Sequence, residues 1–404
     1  MATETTHAAG IEIHDDYCGK CELCSIVCPF EAISRDEETG KLALDIEKCQ
    51  MCGICVSTCP LSAIDLVYYN NDSLTSYVCR QMEETGSKTL VLTCRGSNPV
   101  TGGLEDILKN QKVTDFVSLR LPCVGRVPPE FFLKAIALGI RKILVIQCEE
   151  DYCRFKEGSR VGTNRLLLLQ ALLDKLGHDP KTLTIIRNPM KAVYDTEKCV
   201  GCGKCVFICP YDAIEWSSIG TPEIDLEACM GCGACALVCP HQAIELKGYE
   251  YASVSHLIQR YGIMAREARS RGVTPAVMVF CCQWSEFSAL DNLQTGSCRE
   301  NVMFIEVPCA KGLDPVHVLE ALYSGFDGVL AVTCPKEECK LEEGKETADR
   351  NLFALRKVLR HLNLENKFET CTTSPKYPGD FHSKLESFIQ KVSSISGPEM
   401  KATQ

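Results

Sequence analysis

The sequence predicts two kinds of module, each present twice: a small α+β module built around cysteine loops, and an α/β module with a parallel sheet. Three observations predict this. The spacing C-x2-C-x2-C-x3-C followed by proline occurs four times in 404 residues. Between these motifs, short β-branched runs alternate with amphipathic helical patterns. The two halves also share landmarks at an offset near 186, so the chain reads as an internal tandem duplication.

The first motif pair is CGKCELCSIVCP from Cys18 and CQMCGICVSTCP from Cys49. The second is CVGCGKCVFICP from Cys199 and CMGCGACALVCP from Cys229. This is the bacterial two-cluster ferredoxin pattern, in which the fourth cysteine of each run ligates the other cluster. The expected ligand sets are therefore Cys18, Cys21, Cys24 with Cys59, and Cys49, Cys52, Cys55 with Cys28. In the second half they are Cys199, Cys202, Cys205 with Cys239, and Cys229, Cys232, Cys235 with Cys209. Each set suits one [4Fe–4S] cubane, four in all. Gly201, Gly203, Gly231 and Gly233 let backbone amides approach the sulfurs, which helps set reduction potentials. Each motif runs on into Pro-x-x-Ala-Ile, whose Ala can sit close beneath a cluster. Zinc is the alternative, but zinc sites use paired C-x2-C knuckles rather than runs of three with a trailing Cys-Pro.

Twelve of the 28 cysteines lie outside these loops. TLVLTC (89–94), FVSLRLPC (116–123) and KILVIQC (142–148) read as buried parallel strands. Pro128–Gly139 and Gly162–Gly177 read as helices, and TLTII (182–186) as a further strand. The second copy follows with AVMVFC, NVMFIEVPC, a helix over Pro315–Gly325, GVLAVTC, and a helix over roughly 345–362. Cys94, Cys123 and Cys148 each end a strand, and the carboxyl ends of parallel strands form the ligand crevice of such Rossmann-like sheets. With Cys153 they make four convergent thiols, suited to one [2Fe–2S] cluster. Cys282, Cys309, Cys334 and Cys339 repeat the set, so one or two [2Fe–2S] clusters are expected. The bland alternative is that small buried cysteines simply pack in the core. Cys79, Cys298 and Cys371 have no counterparts and are expected to be structural or free. Cys281 neighbours Cys282 on a strand, so the two point to opposite faces. The basic run Arg154, Lys156, Arg160 and Arg165 is expected to form a solvated helix face.

The expected boundaries are a disordered start over 1–10, ferredoxin modules over 11–70 and 191–247, α/β modules over 75–190 and 274–375, and a C-terminal tail over 376–404. The α/β module resembles the delta, or iron–sulfur, subunit of methyl-viologen-reducing hydrogenases. The resemblance rests on Cys281-Cys282-Gln283-Trp284, on Cys148, Cys153, Phe155, Gly158 and Arg165, and on Pro122-Cys123 and Pro308-Cys309. Ser285 stands where that family has another cysteine, and the first copy has no cysteine pair at Cys94. The resemblance implies a [2Fe–2S] cluster and a hetero-oligomer. It also implies a relay between a heterodisulfide-reductase-like flavoprotein and an electron-input or output oxidoreductase, such as a hydrogenase or formate dehydrogenase.

Composition narrows the alternatives. A net charge of −10 argues against nucleic acid, which demands a basic face. No apolar run is long enough to span a membrane. MATETTHAAG lacks the apolar core of a signal peptide, so a cytoplasmic location is expected, where cysteines serve metals or redox chemistry. No dinucleotide fingerprint, P-loop or nucleophile signature is present. Two other functions fit less of the sequence. A freestanding polyferredoxin carrier leaves the α/β modules without a purpose. A catalyst of thiol or disulfide chemistry would use the adjacent Cys281 and Cys282.

Overall fold

The computed structural model describes residues 5–8, 10–97, 104–218, 220–286 and 299–395. Two four-stranded sheets form its centre. In the first, Thr89–Cys94 lies between Val117–Leu121 and Lys142–Gln147, with Leu183–Arg187 at the edge, and every pairing is parallel. In the second, Val277–Cys282 lies between Val302–Val307 and Gly328–Thr333, with Phe368–Thr372 at the edge. The identical strand order makes the two sheets copies of one Rossmann-like design. Both sheet faces are covered, which is why the strands read as continuous apolar runs.

Helices Asn71–Thr85, Pro129–Ala137 and Gly158–Lys175 supply the first copy's larger core, with Leu90, Leu92, Leu119 and Val145 from the sheet. Asn70 caps the first of them by accepting from the Ser73 amide, and Gly86 ends it in the left-handed conformation. The second copy uses Tyr251–Ser270, Pro315–Tyr323 and Gly344–His361 in the same places. Asn71–Thr85 and Tyr251–Ser270 are additions to the sequence reading. Each sits where a ferredoxin module passes into an α/β module, ahead of the first recognisable strand.

Two terminal segments differ from expectation. Thr5–Ala8 pairs antiparallel with Ile11–His14 instead of being disordered. Asp380–Ile395 is a helix rather than a tail. Its Phe381, Leu385, Phe388, Ile389 and Val392 pack on Val277, Val279, Cys281, Leu330 and Val332. The physical reason is the second sheet's other face, an apolar surface that must be covered. In the first copy Leu108 and Val113 cover the equivalent residues Val91, Leu144 and Ile146.

The ferredoxin modules are small hairpin pairs. Ile11–His14 pairs with Ile64–Leu66, and Ile33–Arg35 with Leu42–Leu44. Ala192–Tyr194 and Ile244–Leu246 pair in the second module, as do Ile214–Trp216 and Pro222–Ile224. One-turn helices Leu23–Ile26, Ile54–Thr58, Lys204–Ile208 and Ala234–Val238 follow the cysteine loops.

The halves pack about a pseudo-two-fold axis, which their contacts reveal. Arg120 and Glu306 occupy equivalent positions 186 apart and form a buried two-pronged ion pair at 2.5 and 2.8 Å. Arg95 donates to the carbonyl of its counterpart Gln283 at 3.0 Å. Arg154 reaches the Met230 carbonyl of the second ferredoxin, and its counterpart Lys340 reaches Gln50 of the first. Gln50 and Met230 are themselves equivalent, each following the first cysteine of its loop. Reciprocal contacts of this kind are the mark of an isologous interface.

Candidate metal centres

Each third cysteine of a ferredoxin loop lies in a one-turn helix entered through a left-handed residue. That residue is Gly53, Gly203 or Gly233 in three loops, at φ 76°, 73° and 79°, but Glu22 in the first, at φ 63°. The fourth cysteine leaves the same helix and crosses to the other loop. Thus Cys59 and Cys18 are the neighbours whose charge Cys24 feels, while Cys28 joins Cys49 and Cys52 around Cys55. Cys239 lies beside Cys202 and Cys205, and Cys209 beside Cys229, Cys232 and Cys235. In the second module two cavities lie between these residues. One is walled by Cys199, Cys202, Cys205 and Cys239, the other by Cys209, Cys229, Cys232 and Cys235.

The Ala of the trailing Pro-x-x-Ala-Ile has a definite use. The amides of Ala32, Ala63 and Ala243 donate to Sγ of Cys28, Cys59 and Cys239 at 3.4, 3.2 and 3.2 Å. Burial pushes the thiols of Cys24, Cys49 and Cys205 up from their ordinary value, and that of Cys52 up to about 12. Without metal these groups are thiols; binding a cation displaces their protons.

The strand-end cysteines also converge. Cys94 and Cys153 each face both Cys123 and Cys148, so the four sulfurs close a ring. Thiol hydrogen bonds from Cys123 and Cys148 hold Cys94 well below the usual thiol range and pull Cys153 down to about 3. Cys153 also accepts from the Ser159 amide at 3.2 Å, at the N-terminus of helix Gly158–Lys175. In the second copy Cys282 Sγ lies 3.9 Å from Cys334 Sγ, and Cys339 faces Cys309 and Cys334. A Cβ on Gly158 would stand 2.6 Å from Cys123 Sγ, and one on Gly344 2.7 Å from Cys339 Sγ. Both helices therefore begin with the one residue that leaves room for sulfur.

Ser285 does not join the ring. Its hydroxyl donates to the Cys282 carbonyl, just as Ser97 donates to the Cys94 carbonyl, and both serine hydroxyls brace a strand-end turn. Cys281 faces away from Cys282 and is buried beneath the C-terminal helix, which removes it from the crevice. Cys371 is half-buried against the same core, Cys79 lies on helix Asn71–Thr85, and Cys298 lies outside the described residues. No disulfide joins the described cysteines.

The basic run is corrected in part. Arg165 donates to Ser57, Thr58 and the Gly125 carbonyl, which ties the first ferredoxin to its own α/β module. Arg154 ties the same α/β module to the other ferredoxin. Arg160, paired with Glu157, and Lys156, which lies over the Phe30 ring, are the exposed members of the run. Long basic side chains find carbonyls and hydroxyls across joints that no local spacing announces.

The thiol groups are joined by packing. One buried cluster contains Cys52, Cys123, Phe155, Trp284, Cys282 and Cys334, with Cys153 and Cys339 against it. The Phe155 and Trp284 rings meet edge to face at 5.6 Å across the two halves. A second cluster contains Cys232 and Cys309, again with Cys339 against it.

The family model for the methyl-viologen-reducing hydrogenase delta subunit matches residues 90–198 and 277–396, more than half of the chain. The chain belongs to this family. Both α/β modules of this delta-subunit homologue are covered, and a 4Fe-4S dicluster domain matches residues 17–63 and 198–243. The iron-sulfur subunit of an F420-non-reducing hydrogenase from Archaeoglobus profundus is 33% identical over 95 residues, 22% of this chain and 68% of that protein. A ferredoxin:CoB-CoM heterodisulfide reductase subunit from Methanosarcina mazei is 31% identical over 277 residues, 67% of this chain. The match spans 31% of that relative's length. The chain is thus similar to iron–sulfur subunits of hydrogenases and to part of a heterodisulfide reductase subunit. Among the described residues no helix is long and apolar enough to cross a membrane.

Proposed function

We propose that this chain is an electron-relay subunit that holds [4Fe–4S] clusters at its four ferredoxin cysteine sets and a [2Fe–2S] cluster at each strand-end ring. The observation that carries the reading is the packing that joins Cys52, the two rings and Cys232 through two buried clusters, with Cys339 against both. The donor sets fit: all are sulfur, and Gly158 and Gly344 leave a cradle that any side chain would fill. Rings of four thiols suit a cluster of several irons. Clusters bound there would take up and release single electrons.

In this reading the sets containing Cys21 and Cys202, which are exposed, take the two ends, and the rings, with Cys94, Cys123, Cys148, Cys282, Cys309 and Cys334 buried and Cys153 and Cys339 half-buried, lie between them. The proposed partners are a heterodisulfide-reductase-type flavoprotein and an electron-input or output oxidoreductase, in a cytoplasmic hetero-oligomer. The extended likeness to the Methanosarcina heterodisulfide reductase protein supports the first of these. Iron and sulfide analysis with EPR on anaerobically purified protein tests the reading. We expect about twenty irons per chain; about sixteen would leave the rings without clusters.

A further inference from the structure

The two halves differ at the groove between each ferredoxin and the α/β module that follows it. In the first half the groove is plugged. The Arg126 guanidinium lies 5.1 Å from the Tyr69 ring centre and donates to the carbonyls of Tyr68 and Tyr69 at 3.0 and 2.8 Å. The Tyr69 hydroxyl accepts from Arg95 at 2.8 Å, and Phe131 is buried in the core alongside. In the second half the residues at these positions are Gly312 for Arg126, Tyr249 for Tyr69, Gln283 for Arg95 and His317 for Phe131.

The result is a cavity of ≈ 360 Å³. Tyr249, Tyr251, Asp314, His317 and Glu245 line it, and Cys232 and Cys309 meet at its back. His317 is 3% exposed and stacks on Tyr251 at 4.6 Å, and neither ring nitrogen makes a hydrogen bond of normal length and angle. The buried Tyr249 hydroxyl has none either. Two unpartnered polar groups at one buried place are costly unless something arrives to satisfy them. No lysine or arginine lines the cavity, while two carboxylates do.

We propose that this cavity receives a guanidinium group, presented as an arginine side chain by a partner protein. The first half supplies the template, because there the chain fills the same place with its own arginine over the equivalent tyrosine. Asp314 and Glu245 give the wall its charge, and the unpartnered nitrogen and hydroxyl accept the guanidinium's hydrogens. A planar cation also suits the aromatic walls better than an ammonium does. An arginine seated there lies against Cys232 and Cys309, at the joint between ferredoxin and ring. The inference stands apart from the cluster assignment, since it rests on the groove alone.

The test is calorimetric titration of the anaerobically purified full chain with N-acetyl-arginine-methylamide, its lysine analogue and free guanidinium. The two variants are Gly312→Arg and His317→Phe, which restore first-half residues. A Cβ at Gly312 finds its nearest neighbour at 3.4 Å, so the backbone accepts the change. We expect the arginine analogue to bind at least about tenfold tighter than the lysine analogue, and both variants to lose that binding. Absent binding to the wild type overturns the proposal, as does undiminished binding to Gly312→Arg. Free guanidinium binding as tightly as the arginine analogue would overturn the partner arginine in favour of a small cation. Unchanged iron content in both variants separates this result from any failure of the cluster reading.

Discussion

At Gly344 a single hydrogen in place of a methyl group decides whether four sulfurs have room. A Cβ there would lie 2.7 Å from Cys339 Sγ and 3.1 Å from Cys309 Sγ, both inside contact distance. Gly344→Ala is expected to lose about two irons per chain while the EPR signals of the cubanes persist. Undiminished iron in the variant would mean that Gly344 is not what leaves room for the cluster. The cysteines themselves were legible, because metal-binding spacing is local and strand ends deliver side chains to one edge. The reason for Gly158 and Gly344 was not. A glycine ahead of a helix usually signals backbone conformation, and here it signals space for a sulfur that is distant in sequence. The crossing of Cys28, Cys59, Cys209 and Cys239 between loops is what the general ferredoxin rule expects of this spacing.

Among the elements, the C-terminal helix was the least legible. Its stripe of Phe381, Leu385, Phe388, Ile389 and Val392 has helical spacing, but the duplication offers no guide to it. In the first copy the chain passes into the next ferredoxin at the matching point. The sheet strands were read well because burial on both faces writes itself as an unbroken apolar run. What covers each face was not, since a cover can come from any distance along the chain. Phe388 is 1% exposed and packs against the second sheet's outer face. Phe388→Ala should cost about 3–5 kcal/mol, read as a lower urea midpoint under anaerobic conditions. A cost below about 1 kcal/mol would mean that the helix is not a true cover.

The whole molecule is two equivalent halves made to differ. Its axis passes where Arg120 meets Glu306, with side chains 10% and 4% exposed. Breaking such a pair strands a buried charge, so Arg120→Met alone should destabilise the chain by about 3–5 kcal/mol. Because the two positions are related by the axis, exchanging them is expected to be accepted. Arg120→Glu combined with Glu306→Arg should recover most of the lost stability, checked by the same urea titrations. An exchange as damaging as the single change would mean that the surroundings, and not the axis, dictate the order of charges.

That ion pair also records a history. In a dimer of identical halves the same residue meets its own copy on the axis, arginine against arginine or glutamate against glutamate. Opposite charges at that point require two separately inherited versions of the position. Joining the halves into one gene supplies both versions together at fixed one-to-one dosage. The salt bridge therefore postdates the duplication of the ancestral half. The two ends of the molecule were free to specialise from then on.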